Sequence, residues 1–180
     1  MKFNKYKLLE ELEQELQSQI LQVKNNFMDK SQSVLIRSSA SGGWSILQCL
    51  DHLNSYGLYY LPKIESALGK SLRSDGEFYQ SGWLGDYFTR IMSPETSKKK
   101  YKAFKGHIPS DILDSSVVLA EFLRQEDLLL SFVRQAKGID PASVRIPVSI
   151  SPWIKLKLGD TLRFIVAHNK RHLLQAAGNL

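Results

Sequence analysis

"GGWSILQCLDHL", residues 42–53, decides how the rest of this chain is read. Ser45 is placed to cap a helix with its hydroxyl. Gln48, three residues on, is placed to reach back to the cap's own N–H, which together make a capping box. Trp44 precedes the cap and Cys49 follows it by one turn, the spacing of a hydrophobic staple. The helix so begun runs towards Leu68, with Cys49, His52, Leu53, Tyr56, Tyr60 and Ile64 on adjacent inward lines. Pro62 lies inside it, removes one backbone donor and predicts a bend.

Outward from that helix the chain reads as mostly helical. Upstream, Leu9, Leu12, Leu16, Ile20, Val23 and Phe27 recur at spacings of three and four, one apolar stripe of an amphipathic helix ending near residues 26–30. A polar loop, "SSASGG", separates the two. Downstream, residues 70–109 hold turn formers and no sustained period, which predicts a long crossover with a short helix around 84–92. A third long helix starts near Asp114 and stops at Gly138, with Val118, Phe122, Leu129, Phe132, Val133 and Ala136 as its core face. Residues 139–158 are Pro-broken and β-branched, hence extended. "GDTLRFIVAHNKRHLLQAAG" closes the chain with a fourth helix, apolar along Leu162, Ile165, Val166, Leu173 and Ala176. The expectation is an all-α fold: one four-helix-bundle domain over residues 1–180, with a long crossover between helices 2 and 3.

Composition excludes several classes of function. No stretch approaches the ~20 apolar residues that span a bilayer, so no membrane partner is expected. Glutamates interrupt any apolar segment in "MKFNKYKLLEELEQEL", so the start does not read as a signal peptide. Cys49 is the only cysteine and cannot form an intramolecular disulfide; a cytoplasmic location is expected. The net charge is +6, and much of the excess lies in "KKKYKAFK" (98–105). Tyr101 and Phe104 could stack on bases or simply anchor this run. No recognition motif accompanies the charge, so it reads as a solvated segment and nucleic acid is not an expected partner.

The four histidines carry the chemistry. "AHNKRHLLQ" (167–175) puts His168 and His172 one helical turn apart on one face, where two imidazoles can converge on one ion. His52 sits on the inward side of the second helix, so three histidines on two helices could form one open site. The competing reading is structural: His52 satisfied by a backbone carbonyl, His172 solvated beside Arg171. His107, in the loop before the third helix, reads as a surface residue.

Two stretches, in this order, resemble the DinB-like (YfiT-like) superfamily. "GGWSILQCLDHL" is similar to its second-helix signature, a Trp-Ser start with a His-Leu pair seven residues after the Ser. "HNKRHLLQ" is similar to its final-helix signature, His-x-x-Arg-His-Leu-x-Gln. The resemblance implies a four-helix bundle holding a divalent metal through His52, His168 and His172. It implies a homodimer, a small-molecule substrate and a metal-dependent activity, either transfer of a low-molecular-weight thiol or hydrolysis.

Three neutral imidazoles leave an ion its full charge and an open position, and so lower the pKa of a bound thiol or water. Zinc, nickel and iron all accept imidazole. Around the ligands, Gln175 shares the histidine face and either orients a ligand, bonds substrate or is an ordinary polar residue. Arg171 either binds an anionic substrate or forms a structural ion pair. Tyr56, one turn after His52, either lines the cavity or is core. One of Gln125 and Glu126 could support the site, with Glu126 expected on a solvated face. Cys49 is read as packing, not as a ligand. The alternative function is a non-catalytic helical stress-response or binding protein whose metal is structural or absent.

Overall fold

A computed structural model describes residues 1–39, 42–99 and 101–180. Parts of the "SSASGG" loop and Lys100 of the basic run lie outside the described residues. Four long helices carry the structure: α1 (Lys5–Asn26), α3 (Ile46–Lys70), α5 (Ser115–Gln135) and α6 (Leu158–Ala177), with a four-residue α2 (Gln32–Leu35) after the first. Helix α3 packs against α5 and α6, and α1 packs against the same two. The apolar stripes anticipated for all four are buried, with Leu12 alone only partly so.

The capping box forms as the sequence predicts. Gln48 N donates to Ser45 Oγ at 3.1 Å, and Ser45 N donates to Gln48 Oε1 at 3.0 Å. Trp44 packs against the core cluster that contains Cys49. Pro62 does not end α3, which continues to Lys70. At Gly57 the absence of a side chain lets α5 approach, since a Cβ there would stand 1.7 Å from Gln125 Oε1.

The all-α expectation holds in part: the protein is mostly helical, but among the described residues it also contains two small antiparallel sheets. Strand β1 (Lys2–Asn4) pairs with β2 (Phe78–Gln80), so the chain's first residues are fastened to the middle of the crossover. Strands β3 (Arg145–Val148) and β4 (Ser151–Lys157) form the hairpin that the extended reading of 139–158 anticipates. Its register shifts between Pro147 and Val148, the kind of irregularity where a strand tolerates a proline.

Helix α4 (Trp83–Met92) occupies the crossover where a short helix is predicted. It lies against α6 and is fixed there by Asp160, a buried residue of α6. Asp160 Oδ2 accepts from Gly82 N at 2.9 Å, while Arg163 Nη1 bridges to Asp86 at 2.7 Å. No described helix is long and apolar enough to cross a membrane.

Candidate metal centre

Helices α3 and α6 run side by side and bring the three histidines together. The ring centroids of His52, His168 and His172 lie 5.1, 4.6 and 4.7 Å apart pairwise. One nitrogen from each falls within 4.8 Å of the others. His52 Nε2 and His168 Nε2 are 3.3 Å apart. His52 and His168 are buried, and His172 is half-buried.

Hydrogen bonds set which nitrogen faces inward. His52 Nδ1 is 2.6 Å from the carbonyl oxygen of His107, an acceptor only, so Nδ1 carries the proton and Nε2 presents its lone pair. His172 Nδ1 donates in the same way to Gln175 Oε1 at 3.0 Å. Gln175 is thus hydrogen-bonded to His172, and the acceptors of both imidazoles are uncharged. His168 Nδ1 is buried without a partner among the described residues.

Burial keeps the cluster uncharged. Desolvation, opposed by the His107 carbonyl, lowers His52 to about 4. Desolvation and then His52 itself lower His172 to about 3. Desolvation, followed by the neighbouring His172 and His52, carries His168 well below its ordinary value. The neutral imidazole is the form in which a histidine can bind a metal ion.

Two expectations for nearby residues are corrected. His107 is buried, not a surface residue. The 3₁₀ turn Lys105–His107 docks on α3, where the His107 ring stacks on Tyr56 at 3.9 Å and its Nδ1 lies 2.8 Å from Ser55 Oγ. Glu126 is also buried, at 2% exposure, and accepts from Asn169 Nδ2 at 2.6 Å. Gln125 donates to the Asn54 carbonyl and to Glu121, so among the described residues neither side chain is hydrogen-bonded to the histidines.

The other candidates divide. Tyr56 is buried with its ring 4.3 Å from His168, and it also lines a cavity. Arg171 makes no ion pair with a described carboxylate; its guanidinium donates to the carbonyls of Ile91, Met92, Ser97 and Lys99. It therefore ties α6 to the last turn of α4 and to the segment that follows it. Cys49 is fully buried, and desolvation pushes its thiol up to about 12, so it stays protonated as a packing residue. Trp44 enters the site unannounced, its ring 4.8 Å from His52 and 5.8 Å from His172.

The histidines, with Trp44 and Tyr56, form part of the wall of a cavity of about 1060 Å³. Tyr60, Phe88 and Phe164 continue that wall, and the tip of the β3–β4 hairpin closes one side through Val148–Ile150. This volume suits a drug-sized organic molecule.

In comparisons with known proteins, the family model described as the DinB superfamily matches residues 8–176. No curated protein and no solved structure matches the chain.

Proposed function

The chain belongs to the DinB superfamily, and on that premise we propose that His52, His168 and His172 hold a divalent metal ion in an enzyme acting on a small organic molecule. The observation that carries this reading is the convergence of three ring nitrogens, two of them with their Nδ1 protons committed to neutral acceptors. Among the described residues no carboxylate or thiolate joins the group, which leaves a coordination position for a ligand from solution. When bound, the ion would supply Lewis acidity, favouring ionisation of a thiol or a water at neutral pH.

The chain's own residues supply the rest. The His107 carbonyl and Gln175 hold two imidazoles in the tautomer a metal needs. Tyr56, Trp44 and Phe164 keep water from one side of the cluster. The four long helices serve as a bundle, and the crossover lays α4 beside the cavity. Thiol transfer and hydrolysis both fit this arrangement. We place the protein in the cytoplasm and expect zinc, nickel or iron.

The test is elemental analysis of untagged protein purified without chelators, beside His168→Ala. Near-stoichiometric metal in the parent, lost in the variant, supports the reading. A parent that neither carries metal nor takes up zinc, nickel or iron overturns it and leaves a non-catalytic binding protein.

A further inference from the structure

The cavity that contains the histidines has a distribution of charge that the metal does not explain. Its charged lining residues, among those described, are Lys98, Lys102 and Arg171; no aspartate or glutamate contributes to the wall. Lys98 and Lys102 are exposed, and neither ammonium is paired with a described carboxylate, unlike Lys170, which is held by Glu15 and Glu95. Arg171 spends its N–H groups on backbone carbonyls, which accept hydrogen bonds but carry no compensating charge. Two exposed lysines thus mark the rim, while the buried His52 and His168 mark the floor.

Between rim and floor the wall is aromatic. Tyr60 and Phe164 are buried, Phe88 is half-buried and Tyr87 is largely exposed, so the rings extend from the floor towards solvent. Flat or bulky apolar groups gain most from such a wall, by area burial and ring stacking. A neutral apolar ligand would leave the lysines without a role. A cationic one would meet like charge at the rim.

We propose that the ligand of this cavity is an amphipathic organic anion, with an aromatic body against Tyr60, Phe88 and Phe164 and a carboxylate-like group at Lys98 and Lys102. This deepens the proposed function by naming its substrate class, and it rests on that reading only for which end of the molecule reacts. Recognition itself is built from the aromatic wall and the two ammonium groups, and needs no metal.

The experiment uses the full chain stripped of metal with EDTA and three probes of one shape: 1-naphthoate, 1-naphthylmethanol and 1-naphthylmethylammonium. Calorimetric titration at low salt is expected to show naphthoate binding about tenfold tighter than the alcohol, and the ammonium weakest, as two partly exposed charge pairs allow. Raising the salt should erode the advantage of naphthoate without changing the alcohol. The double variant K98E/K102E should bring naphthoate down to the alcohol or below. The alcohol's unchanged affinity then shows that the variant is folded. Tyr87→Ala should weaken all three.

Equal affinities for the three probes, no binding of any, or naphthoate binding untouched by K98E/K102E would each overturn the proposal. Since these titrations are made without metal, failure here leaves the metal reading standing. Failure of metal uptake, in turn, leaves the anion site standing.

Discussion

Replacing Glu126 by Gln should stabilise this protein in alkaline solution and do almost nothing in acid. Among the described residues Glu126, 2% exposed, has one bond, from Asn169 Nδ2, and its Oε2 has no partner. Desolvation raises its pKa from 4.5 to about 8, against the opposing Asn169 bond, with Asp127 and Glu15 adding to the rise. The folded chain therefore keeps a proton that the unfolded chain gives up, and stability falls as pH rises from 4.5 to 8. At ~1.36 kcal/mol per pH unit, the interval amounts to about 5 kcal/mol by pH 9. Glutamine can keep the Asn169 bond through Oε1 and has no proton to lose. Urea unfolding of both proteins at pH 5, 7 and 9, followed by circular dichroism, measures the difference directly. The histidines titrate equally in both chains and cancel. The two midpoints should agree at pH 5 and separate progressively to pH 9. A gap that is the same at every pH would refute the reasoning, because it would mean Glu126 is already ionised in the folded state.

Other outcomes follow from the same contacts. Gln175→Ala frees His172 Nδ1 and should weaken metal binding about 10–100-fold, read by competition with a chelating dye; unchanged affinity would show that the Gln175 bond is incidental. Gly57→Ala pushes a methyl into the Gln125 amide and should cost about 1–3 kcal/mol, seen as a fall in Tm of about 2–4 °C per kcal/mol. Ser45→Ala removes half of the capping box and should cost about 1 kcal/mol, while Ser45→Thr should recover most of it in the same denaturation assay. Arg171→Ala should speed hydrogen exchange in residues 91–99, where its guanidinium now holds four carbonyls, and leave exchange in α5 unchanged.

The long helices were legible because each carries an apolar stripe of several turns, and α3 adds an unambiguous capping box. The histidine cluster was legible for a related reason, since the i, i+4 spacing of His168 and His172 and the inward position of His52 are properties of helices already recognised. The β1–β2 pair was not. Three residues on each strand, Lys-Phe-Asn against Phe-Tyr-Gln, are too few to show alternation, and their pairing joins positions almost eighty residues apart. Glu126 was misplaced because α5 packs on both α1 and α3, so its buried arc is wider than the stripe of its apolar residues. That arc takes in Gln125 and Glu126 beside Leu129 and Leu130. His107 was misplaced because its burial depends on where a three-residue turn docks, which no local pattern encodes.

The group that orients His52 belongs to the main chain, and this changes what mutation can reach. A carboxylate in that role would be lost in a single substitution. The carbonyl of residue 107 survives every replacement of its side chain, so point changes at 107 leave the hydrogen-bond acceptor itself in place. What the position of that oxygen does depend on is the path and length of the segment between α4 and α5. An inserted or deleted residue there would swing the acceptor away from the ring, so the fragility of this histidine's orientation is one of spacing rather than of residue identity.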